Sequence, residues 1–370
     1  MFVNMGSTTA SSTPAVIVDP DMRETRHCSR PRTESALERA RELREESLRV
    51  SQLQRERDWA LQLVQEKALA LQASSLDEYV KECHGSLFSK LTMDPEAQHR
   101  RDATTADIRG KWQPRKVTKW TSFLNEQRLI FNRACDMFPP AVRPFPRLIT
   151  VKENGKKIVP ITDEKSMAKF IHESIEEPVK NIMRELQSVD KLGKICQNDV
   201  RVDFTNDAEH AKPFETETTS SQPREPYHSM MLYVWEPKAP CDTTVEQLRT
   251  LLRPTTSFGE VTEERERPAA VQDAEEVPQP TAITEKRTKR AVTQTYHNMM
   301  ESCLKFGILT TGQAIVFLHV NWDDPQTLYY HISEPALDVA KVPERDAAFF
   351  SAVGQYVAFT IMALTKHRRS

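Results

Sequence analysis

The sequence predicts an α/β (α+β) protein in which a long N-terminal helix precedes a small mixed sheet flanked by helices. Residues 33–74 contain no Gly or Pro and are dense in Glu, Arg, Leu, Gln and Ala, which favour helix. Apolar residues recur every three or four positions over 163–189, the period of an amphipathic helix. Short apolar segments at 230–238, 314–320 and 327–332 favour strands.

Length and composition indicate several segments, some of them without a packed core. The chain has 370 residues, only 38% of them hydrophobic, with 23 Pro and 9 Gly. Its net charge of −2 provides no global attraction to nucleic acid or an anionic membrane. We expect a disordered tail (1–32), a long helix (33–74), the first part of an α/β domain (75–250), a disordered charged insertion (251–291) and the second part of the domain (292–370).

The cysteines and the N-terminus predict an intracellular protein, cytoplasmic or nuclear. The six cysteines form no C-x-x-C pair, which argues against a disulfide framework or a cysteine-rich zinc site. Residues 1–18 lack a basic segment followed by an apolar one, so no secretory signal is expected.

The helix predicted at 33–74 is a candidate for binding a protein partner or a second copy of the chain. Leu43, Val50, Val64 and Leu71 follow a seven-residue spacing, which Arg57 interrupts. The pattern fits both a coiled coil that dimerises the chain and a solvated helix that docks through one stripe.

Further elements are predicted between this helix and residue 189. Helices are expected at 76–91 and 120–137, separated by a polar linker. A small hairpin is expected around Asn154 and Gly155, because Asn-Gly is a strong hairpin turn signal. Pro178 should kink the amphipathic helix at 163–189.

The insertion at 251–291 has an acidic half and a basic end. Its basic residues are Lys286, Arg287, Lys289 and Arg290. They could form a nuclear-import or phosphate-contacting patch. A solvated charge cluster in a linker is the favoured interpretation.

The uncharged segment 347–364 is at the lower length limit for a membrane span. Polar residues interrupt it, including Ser351, Gln355 and Thr360. A helix buried in a protein core is favoured over a tail anchor, so we expect no membrane attachment.

The best candidate for chemistry is a set of two carboxylates and one amine. Glu236 and Lys238 are two residues apart in a predicted strand and should point to the same side. Asp203 lies near the end of a strand predicted at 200–204. If these strands are neighbours, Asp203 and Glu236 could bind Mg²⁺ while Lys238 orients a water or stabilises charge on a phosphate.

The order of elements around this set resembles the core of the PD-(D/E)XK nuclease superfamily. The resemblance implies a restriction-endonuclease-like core and an Mg²⁺-dependent phosphodiesterase acting on DNA or RNA, with Asp203, Glu236 and Lys238 as catalytic residues. A third carboxylate could come from the preceding helix, at Glu173, Glu176 or Glu177. Pro237 departs from the pattern, because it removes a backbone donor from a strand expected to be central.

Several separated motifs resemble the fungal-type protein kinase family over roughly residues 75–365. They are EPK at 236–238, LRTLLRP at 248–254, AVTQTYH at 291–297, LTTG at 309–312, DDP at 323–325, LYYH at 328–331 and AVGQ at 352–355. The resemblance implies the region before the kinase-like domain. No glycine-rich phosphate loop or His-Arg-Asp loop is present in the sequence. We therefore expect a regulatory or interaction module, with the phosphodiesterase as the alternative.

Overall fold

The computed structural model describes residues 31–96, 110–189, 231–240, 243–254, 258 and 280–366. Within them it confirms the mixed α+β class, with helices around a five-stranded mixed sheet. The predicted tail up to residue 30, the predicted strand at 200–204 and most of the predicted insertion lie outside the described residues. The chain divides into two compact units, Met1–Glu66 and Lys67–Ser370.

The described elements are as follows. The helices are α1 (Pro31–Leu71), α2 (Leu76–Ser86), α3 (Phe123–Asp136), α4 (Leu148–Gly155), α5 (Glu164–Ile171), α6 (Glu177–Val189), α7 (Val245–Leu251), α8 (Pro280–Glu301), α9 (Pro335–Lys341), α10 (Glu344–Phe350) and α11 (Ala352–Lys366). The strands are β1 (Lys116–Lys119), β2 (Val234–Pro237), β3 (Phe306–Thr310), β4 (Ile315–Asn321) and β5 (Asp324–Ser333).

The strands lie in the order β1-β5-β4-β3-β2. Strands β3, β4 and β5 form an antiparallel meander. Strand β1 pairs parallel with β5, and β2 pairs parallel with β3. Parallel neighbours need a crossover connection, and α7 and α8 lie in the connection from β2 to β3.

Helix α11 forms the core against one face of the sheet. Every residue from Ala352 to Leu364 is buried, as favoured for this apolar segment. The Phe359 ring lies 4.9 Å from the Phe317 ring and 5.5 Å from the Phe306 ring. These edge-on and tilted ring contacts hold α11 against β3 and β4.

The apolar segment is two helices rather than one. Ser351 adopts an extended conformation (φ −66°, ψ 156°) and ends α10. Its hydroxyl accepts a hydrogen bond from the Gly354 backbone N–H at 3.0 Å, which caps the start of α11. Among the described residues no single helix is both long and apolar enough to cross a membrane; α10 and α11, bent by 55°, meet that length and composition only as a pair.

Helix α8 covers the opposite face of the sheet. Val292, Tyr296 and Met299 are buried in one cluster with Leu309 and Val316. This helix begins at Pro280, so the last residues of the predicted insertion, 280–291, are helical.

The basic residues at the predicted linker end lie on α8. The Lys289 side chain is buried, with its ammonium 5.4 Å from the centre of the Phe258 ring. The four basic residues thus belong to a helix and not to a linker, and among them Lys289 is buried while Lys286 is exposed.

The hairpin predicted around Asn154 and Gly155 is wrong, because these residues end α4. A Cβ atom on Gly155 would lie 1.9 Å from the carbonyl oxygen of Ser86, at the end of α2. Glycine is present here because two helix backbones approach closely, not because a turn requires it.

The predicted kink near Pro178 takes the form of a wider helical turn. A π-helical turn, His172–Glu176, lies between α5 and α6. Pro178 is the second residue of α6 and follows directly on this turn.

Candidate functional site

Among the described strands, β2, which carries Glu236, lies at one edge of the sheet. The Lys238 N–H donates to the Thr310 carbonyl oxygen on β3 at 2.8 Å. Pro237, one residue earlier, therefore has its nitrogen on the side of β2 away from β3, where no strand of the described residues needs a donor. The departure at Pro237 does not interrupt the sheet.

Lys238 lies between two carboxylates. Its Nζ atom is 3.0 Å from Glu236 Oε1 and 3.0 Å from Glu164 Oε1. Glu236 belongs to the same strand segment, and Glu164 is the first residue of α5. The lysine thus links the edge of the sheet to the start of a helix.

The surroundings of Lys238 keep its amine protonated. Burial by itself would lower the pKa of Lys238, but the charges of Glu236 and Glu164, with their hydrogen bonds, outweigh burial and raise the pKa. An amine in this state can stabilise a negative charge and cannot accept a proton at neutral pH. Both roles predicted for Lys238, orienting a water and stabilising charge on a phosphate, stay predictions.

The predicted approach of Asp203 to Glu236 stays a prediction, since Asp203 lies outside the described residues. Among the residues that are described, no group of three or more His, Cys, Asp or Glu side chains could hold a metal ion. The Mg²⁺ ligands Asp203 and Glu236 therefore also stay predictions.

Of the three helix carboxylates considered as a further ligand, Glu176 is the buried one. Its side chain lies in the π-helical turn, and its Oε2 is 3.0 Å from Nδ1 of His172. The nearby Tyr233 hydroxyl has a raised pKa, mainly because it is buried. A hydrogen bond with Thr360 lowers this pKa, and the negative charge of Glu176 raises it. A π-helical turn has no clear sequence signature, so residue spacing could not have selected Glu176 over Glu173 and Glu177.

Comparison with known proteins points to spore killers. Residues 221–368 match the family model of the Spore killer 2 N-terminal domain. The chain is 23% identical over 331 residues to the meiotic driver SPOK2 of Podospora anserina, a match that covers 77% of this chain and 42% of that protein. The chain thus spans less than half the length of this relative. No solved structure matches the chain.

These findings correct the resemblance to the fungal-type protein kinase family. The seven motifs that carried it lie between residues 236 and 355, inside the region that matches the spore-killer domain. The interpretation as a kinase-like regulatory module is therefore wrong. The phosphodiesterase alternative also finds no support in the names of the matching proteins, and the nuclease-like core is not confirmed.

Proposed function

We propose that this chain acts as the N-terminal part of a spore-killer meiotic driver, a protein that favours the transmission of its own gene through meiosis. The observation that carries the proposal is the extent of the family match, residues 221–368. This region includes four of the five described strands, β2 to β5, and both core helices, α8 and α11. The likeness thus covers the residues that build the fold rather than one short motif.

The second part of the proposal concerns assembly: α1 joins two copies of the chain. The side chains on the seven-residue spacing are exposed to solvent, Leu43 by 67%, Val64 by 63% and Leu71 by 54%. Burial of such apolar side chains between two helices would stabilise a dimer. The same spacing in a second copy makes another α1 the best-matched occupant.

A genetic cross tests the driver proposal. A strain of Podospora anserina carrying the gene would be crossed with an otherwise identical strain lacking it, with the protein detected by immunoblot in the carrier. A driver should leave most viable spores carrying the gene. Equal recovery of spores with and without the gene, from a cross in which the protein is present, would refute the proposal.

A further inference from the structure

A cleft of about 290 Å³ lies at one end of the sheet, apart from Glu236 and Lys238. It is bounded by the end of β1, the first turn of α3, the end of β4, the middle of β5 and the end of α11. Of the sequence motifs described above, only LYYH at 328–331 contributes a lining residue, Tyr329.

The strand register explains why distant residues meet in this cleft. Phe306 at the start of β3 pairs with His319 on β4, and His319 pairs with Tyr329 on β5. Tyr329 pairs in turn with Thr118 on β1. Lys305, which precedes Phe306, and Lys119, which follows Thr118, each neighbour this row in sequence, and both line the cleft.

The cleft carries more positive than negative charge. Lys119, Lys305 and Lys366 line it, against one carboxylate, Glu126. Glu126 is already neutralised by an ion pair with Lys366. Within the described part of the chain neither Lys119 nor Lys305 forms an ion pair, so two positive charges face the cleft without compensation.

The first turn of α3 adds to the positive potential. Ser122, at the N-cap position, makes no side-chain hydrogen bond to the backbone of this turn. Its hydroxyl instead accepts from the Trp120 indole at 3.2 Å. The start of this 14-residue helix carries the positive end of the helix dipole, which favours a nearby anion.

One wall of the cleft is aromatic. The His319 ring stacks on Trp120 with 4.8 Å between ring centres, and Tyr329 lies 5.6 Å from His319. Burial, together with the positive charges of Lys305 and Lys366, lowers the pKa of His319 to about 4. At neutral pH the wall is therefore uncharged and suited to contact with a flat ring.

We propose that this cleft binds a nucleoside phosphate, with the phosphate held by Lys119 and Lys305 and the base against His319 and Tyr329. Lysine ammonium groups bind phosphate as point charges, and helix N-termini favour the same group. Aromatic side chains stack on bases without selecting among them. The volume is at the lower end for ligand sites, which suits one nucleotide rather than a larger ligand.

Isothermal titration of the full chain with AMP at low ionic strength tests the proposal. AMP should bind, and adenosine and inorganic phosphate should each bind at least about tenfold more weakly, because each lacks half of the contacts. A 5′-phosphorylated dinucleotide tests whether the bound phosphate belongs to a free nucleotide or to the end of a nucleic-acid strand. Binding of the dinucleotide without AMP binding would support the same site with the end of a nucleic-acid strand as its ligand.

Paired variants test whether AMP binds in this cleft. Lys305→Ala and Lys119→Ala should each weaken AMP binding about tenfold, since each removes a charge-assisted contact. Lys305→Arg should restore most of the affinity. Lys156→Ala is the matched control, because Lys156 is exposed and lies beyond α4, away from the cleft.

The aromatic wall has its own test. Tyr329→Leu keeps an apolar side chain in the sheet and should weaken AMP binding about tenfold while leaving phosphate binding unchanged. Melting curves confirm that each variant is folded before it is titrated. Failure of the folded wild-type chain to bind AMP or the dinucleotide would overturn the proposal, as would equal binding of AMP and phosphate or equal weakening by Lys156→Ala.

Discussion

Gly155 and Gly85 lie on two helices in contact, and they differ in what surrounds them. A Cβ atom at Gly155 would meet the Ser86 carbonyl oxygen at 1.9 Å, whereas one at Gly85 would meet nothing within 4 Å. We predict that Gly155→Ala lowers the free energy of unfolding by about 1–3 kcal/mol, as overpacking does. Gly85→Ala, inside α2, should raise it by about 0.5–1 kcal/mol. Urea unfolding measures both, and equal effects of the two substitutions would contradict this account of the α2–α4 contact.

His331 is predicted to make the protein less stable in mild acid. Burial lowers the pKa of His331 to about 4, an effect partly opposed by the charge of Asp338, and its ring stacks on Phe123 at 4.3 Å. The ordinary pKa of histidine is near 6.5, so between about pH 6.5 and 4 the unfolded state binds the proton more readily. The free energy of unfolding should therefore fall by about 1.4 kcal/mol per pH unit from this residue as pH drops through that window.

The measurement is urea unfolding at pH 7 and pH 5, above the range in which most carboxylates titrate. His319 has a pKa lowered in the same direction and contributes to the same loss. The variant His331→Gln should reduce the difference between the two pH values. An unchanged difference would show that His331 titrates normally in the folded protein.

Residue spacing predicted only the local part of the candidate site. A separation of two residues placed Glu236 and Lys238 on one side of a strand, where they lie in an ion pair. The second partner of Lys238, Glu164, is 74 residues away in sequence, and only packing of α5 against β2 brings it close. Such contacts between distant elements have no local sequence signal.

Among elements, strong periodicity predicted helices well and weak patterns failed. The helices expected at 33–74 and 120–137 appear as α1 and α3. Strand β1 was not predicted because its four residues, Lys-Val-Thr-Lys, include one buried side chain, Val117. Strand β3 was not predicted because it is buried along its whole length and has no alternation of apolar and polar residues to mark it as a strand.

The exposed apolar residues of α1 lead to a prediction about dimer formation. If two copies pair through the seven-residue spacing, Val50→Asp with Val64→Asp should convert a dimer into a monomer, because charges would be buried in the seam. Leu48→Asp is the control, since Leu48 is also exposed, by 62%, but lies off that spacing. Light scattering measures the mass of the wild-type chain, of each variant and of a shortened chain that begins at Ser75. A wild-type chain with the mass of a monomer would contradict the proposed dimer.

For the whole molecule, composition and periodicity predicted the fold class but not the order of strands. Among the described strands, β1 and β2 lie at the two edges of the sheet, on either side of a meander formed later in the chain. This order depends on parallel pairings across long connections, which local patterns do not specify. The position of β2 at an edge is also what makes Pro237 compatible with the sheet.

The corrected family resemblance has a physical reason at the same scale. The motif AVGQ at 352–355 forms the first turn of the buried helix α11, and LTTG at 309–312 ends β3. Residues of this kind build a fold, and a fold can serve unrelated functions. Motifs made of core residues therefore carried no information about kinase-related chemistry.

The central claim is that the unit from β2 to α11 acts as a spore-killer driver module, and gene transmission in crosses tests it most directly. A Cβ atom at Gly354 would lie 2.0 Å from the Ala348 carbonyl oxygen, so Gly354→Val should disrupt the α10–α11 corner. Leu337→Ala, at a side chain 48% exposed on α9, is the control. Each allele is crossed with a strain lacking the gene, and the fraction of viable spores that carry the allele is counted. The account predicts a fraction well above one half for the wild-type and Leu337→Ala alleles and one half for Gly354→Val; a fraction of one half for the wild-type allele would contradict it.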